Sequence, residues 1–269
     1  MTAERIERVF TERRAEGRAA LVTYLTVGDP SVDDTVRCAI AAAEAGADVL
    51  ELGVPFSDPT ADGPVIAAAA HRAIAQGGSL RAALKVAASV RAASDVPIVL
   101  FSYYNPILAF GPERLPEAVA QAGGDGLLLV DLPPEEGADL RAAARAADLA
   151  VIPLVAPTTG ADREPLVLAG ARGFIYYVSL TGVTGSGAAP LVDAGRAAAS
   201  LRARAQLPVV VGFGVTSPEK ARIVAEQGVD GVVVGTAIVR AIAEAADADA
   251  RVRAVRDLVG ALRAGLDRA

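Results

Sequence analysis

The sequence predicts a (β/α)₈ barrel built as one domain, with an additional helix at its N-terminus, and three observations predict it. Short β-branched runs alternate with Ala-rich amphipathic stretches along the whole chain. Each run is nearly continuously apolar, as in parallel strands covered on both faces. A punctuation of Gly, a small residue and often Asp recurs where a helical stretch gives way to the next run: AGADVLEL at 45–52, GGDGLLLV at 123–130 and QGVDGVVV at 227–234, with ARGFIYYV at 171–178 as a looser copy. Glycine supplies the left-handed helix cap, and the strand starts at once. Strands joined through helices run parallel, with right-handed crossovers.

The elements follow in order. The opening MTAERIERVFTERRAEG places apolar residues at helical spacing and is expected to cover the bottom of the barrel. Candidate strands are 21–25, 48–52, 98–102, 126–130, 151–155, 174–178, 209–211 and 231–234. Amphipathic stretches between them include 32–45, 80–93, 135–147, 162–169 and 218–227, and a last helix over 251–269 closes the outer ring. No linker or low-complexity break divides the chain. The alternative is an open doubly wound sheet with a dinucleotide fingerprint. GFGVTS at 212–217 lacks that pattern's third glycine, and GVTGSG at 182–187 follows its strand only after Ser179-Leu180-Thr181.

Composition removes several functions. The net charge is −6 with both signs interspersed, which argues against a nucleic-acid groove or a basic membrane-binding face. No apolar run approaches the ~20 residues that span a bilayer, and the opening segment lacks a signal-peptide core. A soluble cytoplasmic protein is expected. Cys38 is the only cysteine, so disulfide scaffolds and cysteine zinc sites are excluded. His71, the only histidine, lies within helical AAAAHRAIA, where a surface or groove-lining role is expected rather than a place in a Ser-His-Asp triad. The two lysines, Lys85 and Lys220, also fall in helical stretches.

In such barrels the active site lies where strands end. The densest polar segment, ELGVPFSDPTADGP at 51–64, follows the second strand. Side chains alternate along a strand, so Val49 and Glu51 share a face and Leu50 takes the helix side. Glu51 should then lie inside, near the mouth, desolvated enough to shuttle a proton near neutral pH. The alternative is a structural carboxylate paired with an arginine. Asp62 is a second acid in the same loop. On the sixth strand Tyr176 shares the inner face with Phe174 and Val178, as an active-site group or as a core tyrosine. An anion cradle is expected from the loops after strands seven and eight. Gly212-Phe213-Gly214 and Gly235-Thr236 stand there, with Gly185 in the sixth loop to complete it. These loops contain no Arg or Lys, so backbone amides and a helix N-terminus would hold the anion. The alternative is plain turn glycine. Residues 180–187, LTGVTGSG, suit a lid that orders over substrate.

ELGVPFSDPTADGP resembles the signature segment of the tryptophan synthase alpha chain family. The likeness continues in family order through YLTVGDP at 24–30, YYNPI at 103–107, DLPPEE at 131–136, LVAPTT at 154–159, YYVSLTGVTG at 176–185 and VGFGVTSP at 211–218. The resemblance implies a lyase that splits indole-3-glycerol phosphate into indole and glyceraldehyde 3-phosphate. It implies Glu51 and Asp62 as the catalytic acids, Tyr176 beside the glutamate, Tyr103 at the substrate pocket and Thr184 able to contact Asp62. It also implies a pyridoxal-phosphate-dependent beta chain as partner in an α₂β₂ tetramer, with Pro55, Asp58, Asn105 and Pro106 as exposed interface candidates. Two departures are visible: Thr236 stands where serine is expected, and Ala67 where many members carry glutamine.

The residue inventory points the same way. Carbon–carbon cleavage beside a phosphosugar needs an electron sink, and one lysine class and one histidine-metal class supply it elsewhere. No lysine stands at a strand end here. An indole ring protonated at C3 can be its own sink, so no cofactor is expected. Ile66, Leu100 and Phe213 are candidate walls for it. A free-standing lyase, a non-catalytic phosphate-binding regulatory barrel and another phosphosugar barrel enzyme are the competing readings.

Overall fold

The computed structural model describes residues 2–178, 189–212 and 214–267. Nine parallel strand segments form one sheet: β1 (Ala20–Thr26), β2 (Val49–Gly53), β3 (Ile98–Ser102), β4 (Gly126–Leu129), β5 (Ala150–Ile152), β6 (Leu154–Val155), β7 (Ile175–Val178), β8 (Val209–Gly212) and β9 (Gly231–Val234). Their order is β5-β4-β3-β2-β1-β9-β8-β7-β6. Only Pro153 separates β5 from β6, so the two sheet edges are halves of one barrel stave. Proline has no N–H to give the ladder, and the fifth strand changes partners there. Its lower half pairs with β4 and its upper half with β7. The Pro153 carbonyl still accepts the Tyr176 N–H at 2.9 Å, which closes the seam. The eight expected staves are present, the fifth in two pieces.

Around them lie α1 (Ala3–Ala15), α2 (Val32–Glu44), α3 (Pro64–Ala75), α4 (Leu80–Ala93), α5 (Tyr104–Phe110), α6 (Leu115–Gln121), α7 (Ala138–Ala146), α8 (Glu164–Leu168), α9 (Ala189–Ala205), α10 (Pro218–Ala225), α11 (Thr236–Glu244) and α12 (Ala248–Leu266). Ser31, Ser79, Ser217 and Asp247 start α2, α4, α10 and α12 by accepting an N–H three residues on. The stretch expected at 135–147 is helical only from Ala138, and that at 162–169 contracts to α8.

Alternation along the strands creates two cores. Val22, Val49, Val99, Leu128, Ile152, Phe174 and Val210 fill the barrel, while Leu21, Leu50, Ile98, Leu127 and Val209 face the helices. The N-terminal helix closes the bottom as expected. Ile6 and Phe10 of α1 are buried, with the Phe10 ring 5.3 Å from that of Phe174. The repeated aspartates explain the punctuation motif. Asp48, Asp125 and Asp230 are buried, and each accepts a backbone N–H at the start of a neighbouring strand, from Leu21, Ile98 and Val209 at 2.8, 2.8 and 3.0 Å. Each also takes a guanidinium of α1, from Arg13, Arg5 and Arg14 at 2.7, 2.8 and 2.9 Å.

Candidate active site

At the opposite end the strands open into a cavity of about 280 Å³. Glu51 from β2, Asp62 from the next loop, Tyr24 from β1, Phe101 from β3 and Tyr176 from β7 line it, together with Ile66, Gly214, Gly235 and Thr236. The two acids and the described part of the glycine-rich cradle therefore share one chamber.

Glu51 is fully buried, and neither carboxylate oxygen has a hydrogen-bond partner among the described residues. No arginine pairs with it there, unlike the three aspartates at the barrel bottom. Burial alone pushes its carboxyl up to about 8, because the ionised form has lost its water without gaining a counter-charge. Asp62 is partly exposed, and burial raises it to about 6. The Tyr103 hydroxyl, 3.1 Å from Asp62 Oδ2, donates to it and pulls the other way. That hydroxyl also accepts the Ala61 N–H at 2.9 Å, and its ring lies 5.2 Å from that of Phe56. Tyr103 is itself buried and stands behind Asp62 rather than in the cavity wall.

Tyr176 lies in the wall, and Gly212 on β8 makes room for it. A Cβ on Gly212 would come 2.1 Å from the tyrosine oxygen. Burial and the nearby Glu51 and Asp62 hold its hydroxyl proton firmly. It donates no hydrogen bond to Glu51, whose oxygens are unpartnered among the described residues. Tyr24 occupies the mirror position on β1, where Gly53 leaves space for its hydroxyl in the same manner. Its ring meets Phe101 edge-on at 5.3 Å, and Phe101 meets Tyr176 at 6.4 Å. These three rings and Ile66 form an apolar wall around the glutamate.

Leu100 is not part of that wall. It packs among the outer-layer residues beneath the helices, and Phe101, one position on, faces the cavity. The strand register requires this, since Val99 lies opposite Glu51 on the inner face. Alternation applied to β3 would have identified Phe101, and applied to β1 it would have identified Tyr24.

Gly214, with φ +80°, bends the chain after β8, and Gly235 precedes the first turn of α11, which Thr236 opens. No Arg or Lys is among the described lining residues. An anion there would be met by backbone amides and the helix N-terminus. Thr184, Gly185, Phe213 and the loop 180–187 lie outside the described residues.

His71 is exposed on α3, its Nε2 3.0 Å from the Ser57 carbonyl, so it ties down the loop after β2. Arg72 beside it forms a bidentate pair with Asp29 at 2.9 and 2.7 Å. Of the four surface candidates, Asp58 and Asn105 are exposed and Pro106 partly so, but Pro55 is buried. It lies two residues beyond the end of β2 and is still enclosed. Among the described residues no helix is long and apolar enough to cross a membrane, and no group of His, Cys, Asp or Glu could hold a metal ion.

Known proteins resemble this arrangement closely. The family described as tryptophan synthase alpha chain matches residues 10–265. A tryptophan synthase alpha chain of Geobacter sp. (strain M21) is 48% identical over 236 residues, 88% of each chain. A solved tryptophan synthase subunit alpha of Legionella pneumophila superposes with a TM-score of 0.89 at 37% identity, covering 98% of this chain and 99% of that one. A tryptophan synthase structure from M. tuberculosis, in its aminoacrylate-bound form, gives 0.87 at 35% identity, covering 97% and 99%. Sequence and fold agree, and the chain belongs to the tryptophan synthase alpha chain family.

Proposed function

We propose that the chain cleaves indole-3-glycerol phosphate to indole and D-glyceraldehyde 3-phosphate, a lyase reaction late in L-tryptophan biosynthesis. Glu51, protonated at neutral pH, delivers its proton to indole C3, and the positive charge passes to the ring nitrogen. Asp62, ionised, accepts a hydrogen bond from the indole N–H and stabilises that charge. Glu51, now a carboxylate, takes the proton of the adjacent side-chain hydroxyl. The C3–C1′ bond breaks, its electrons return to the ring, and C1′ becomes the aldehyde. Glu51 ends the cycle protonated, so the balance closes without an external acid or base.

Tyr176, Tyr24, Phe101 and Ile66 hold the indole, Tyr103 orients Asp62, and Gly214, Gly235 and Thr236 receive the phosphate with Gly185 and Phe213. The single observation that carries this reading is the pairing of a buried, unpartnered Glu51 with Asp62 in an apolar chamber that ends in a helix N-terminus. The test is indole release from indole-3-glycerol phosphate by purified protein without added metal or cofactor. Glu51→Gln should abolish it, Asp62→Asn should remove most of it, and near-normal turnover of either folded variant would sink the assignment.

The corresponding partner is a pyridoxal-phosphate-dependent tryptophan synthase beta chain in an α₂β₂ assembly, in the cytoplasm, with Asp58, Asn105 and Pro106 on the docking face. Indole is uncharged and membrane-permeant, so a partner that captures it prevents its loss. Strong stimulation of turnover by a beta chain is expected; equal turnover with and without one would instead make the chain a free-standing lyase.

A further inference from the structure

The helix ring has a gap over the fifth stave. The outward residues Leu21, Leu50, Ile98, Leu127, Ile175, Val209 and Val232 of the other staves are fully buried, whereas Val151 on β5 is partly exposed. The elements flanking it are short, nine residues in α7 and five in α8. Between them runs a groove whose upper part encloses about 340 Å³ and whose lower part, continuous with it past Arg141, Val151 and Ala169, about 370 Å³. Its floor is apolar, from Leu140, Val151, Pro153 and Val167.

The charges along it are unequal in kind. Arg163 is neutralised by Glu135 through contacts of 2.6 and 3.0 Å, and Arg172 by Asp148 at 2.9 Å, with Glu7 at 3.5 Å. Arg141 gives one N–H to the Pro134 carbonyl and has no carboxylate partner among the described residues. Arg145, one turn further along α7 and exposed, makes no side-chain hydrogen bond or ion pair among them. Arg145, uncompensated among the described residues, and Arg141, which feels Glu135 only through space, thus stand beside an uncovered apolar floor.

We propose that this groove is a second ligand site, which takes a small molecule with a flat apolar body and one anionic group, a carboxylate, sulfonate or phosphate. The body lies on Val151 and Pro153, and the anion pairs with Arg145 and Arg141, arginine being suited to bidentate recognition of planar oxyanions. The site is separate from the catalytic chamber, though Val130 and Leu154 line both.

The test is calorimetric titration of the purified full chain with naphthalene-2-sulfonate. Arg145→Glu reverses the charge at an exposed position and should weaken binding by about tenfold or more while indole release stays unchanged. Val151→Trp fills the floor and should abolish binding, and raised salt should weaken binding to the unaltered chain. Absence of binding at millimolar probe overturns the proposal, as does equal affinity in Arg145→Glu. Binding that survives Arg145→Glu but disappears in Ile66→Trp places the probe in the catalytic chamber and also overturns it.

Discussion

Glu51→Gln should make this protein more stable as well as inactive, and the gain should depend on pH. An ordinary glutamate titrates near 4.5, and burial lifts Glu51 to about 8. Between those values the folded state holds a proton that the unfolded state has released, so stability falls as pH rises through the interval. Above about 8 the full cost applies, and below 4.5 none of it does. The gap corresponds to about 5 kcal/mol at most, and to about 3 kcal/mol between pH 5.5 and 7.5. Glutamine has nearly the same shape and carries no charge, so the variant escapes the penalty. Urea unfolding of both proteins at several pH values from 5 to 9 measures it. The stability of the variant relative to the parent should climb steadily with pH and level off above about 8. A difference that stays flat across that range would refute the claim that Glu51 is buried without a compensating charge.

Other outcomes follow from the same geometry. With Glu51 needed protonated and Asp62 ionised, kcat/KM should be bell-shaped with limbs near 6 and 8. Tyr103→Phe removes the donor that favours ionised Asp62, so the acid limb should move up and activity at pH 6 should suffer more than at pH 7.5; equal losses at both would count against it. Gly212→Ala forces the Tyr176 ring aside and should cost about 100-fold in turnover with the circular-dichroism spectrum retained. Asp125→Ala takes the counter-charge from Arg91 and the side-chain acceptor from the Ile98 N–H at the barrel bottom and should lower stability by about 3–5 kcal/mol in denaturant titration.

How far such features can be read without coordinates depends on their range. Alternation is a local property, and it places Leu50 outward and Glu51 and Tyr176 inward directly from the order of residues. Choosing Leu100 for the wall rested on side-chain character where parity favoured Phe101. Pro153 announces the seam, because a missing N–H is visible in the sequence, but which neighbour each half of the stave pairs with depends on barrel closure. The aspartates of the punctuation motif are equally visible, while their partners on α1 are not: matching Arg5, Arg13 and Arg14 to them needs the helix docked at a particular rotation. The seven-residue α5 and α6 leave little periodic trace, since they span barely two turns.

That helix also carries a consequence for biosynthesis. Arg13 meets a carboxylate 35 residues later, Arg5 one 120 residues later and Arg14 one 216 residues later. α1 is synthesised long before Asp230 and must therefore wait for that residue before its last ionic clamp can form. It behaves as a keystone, made early and seated late. Nascent chains halted before Asp230 should present α1 still open to proteolysis.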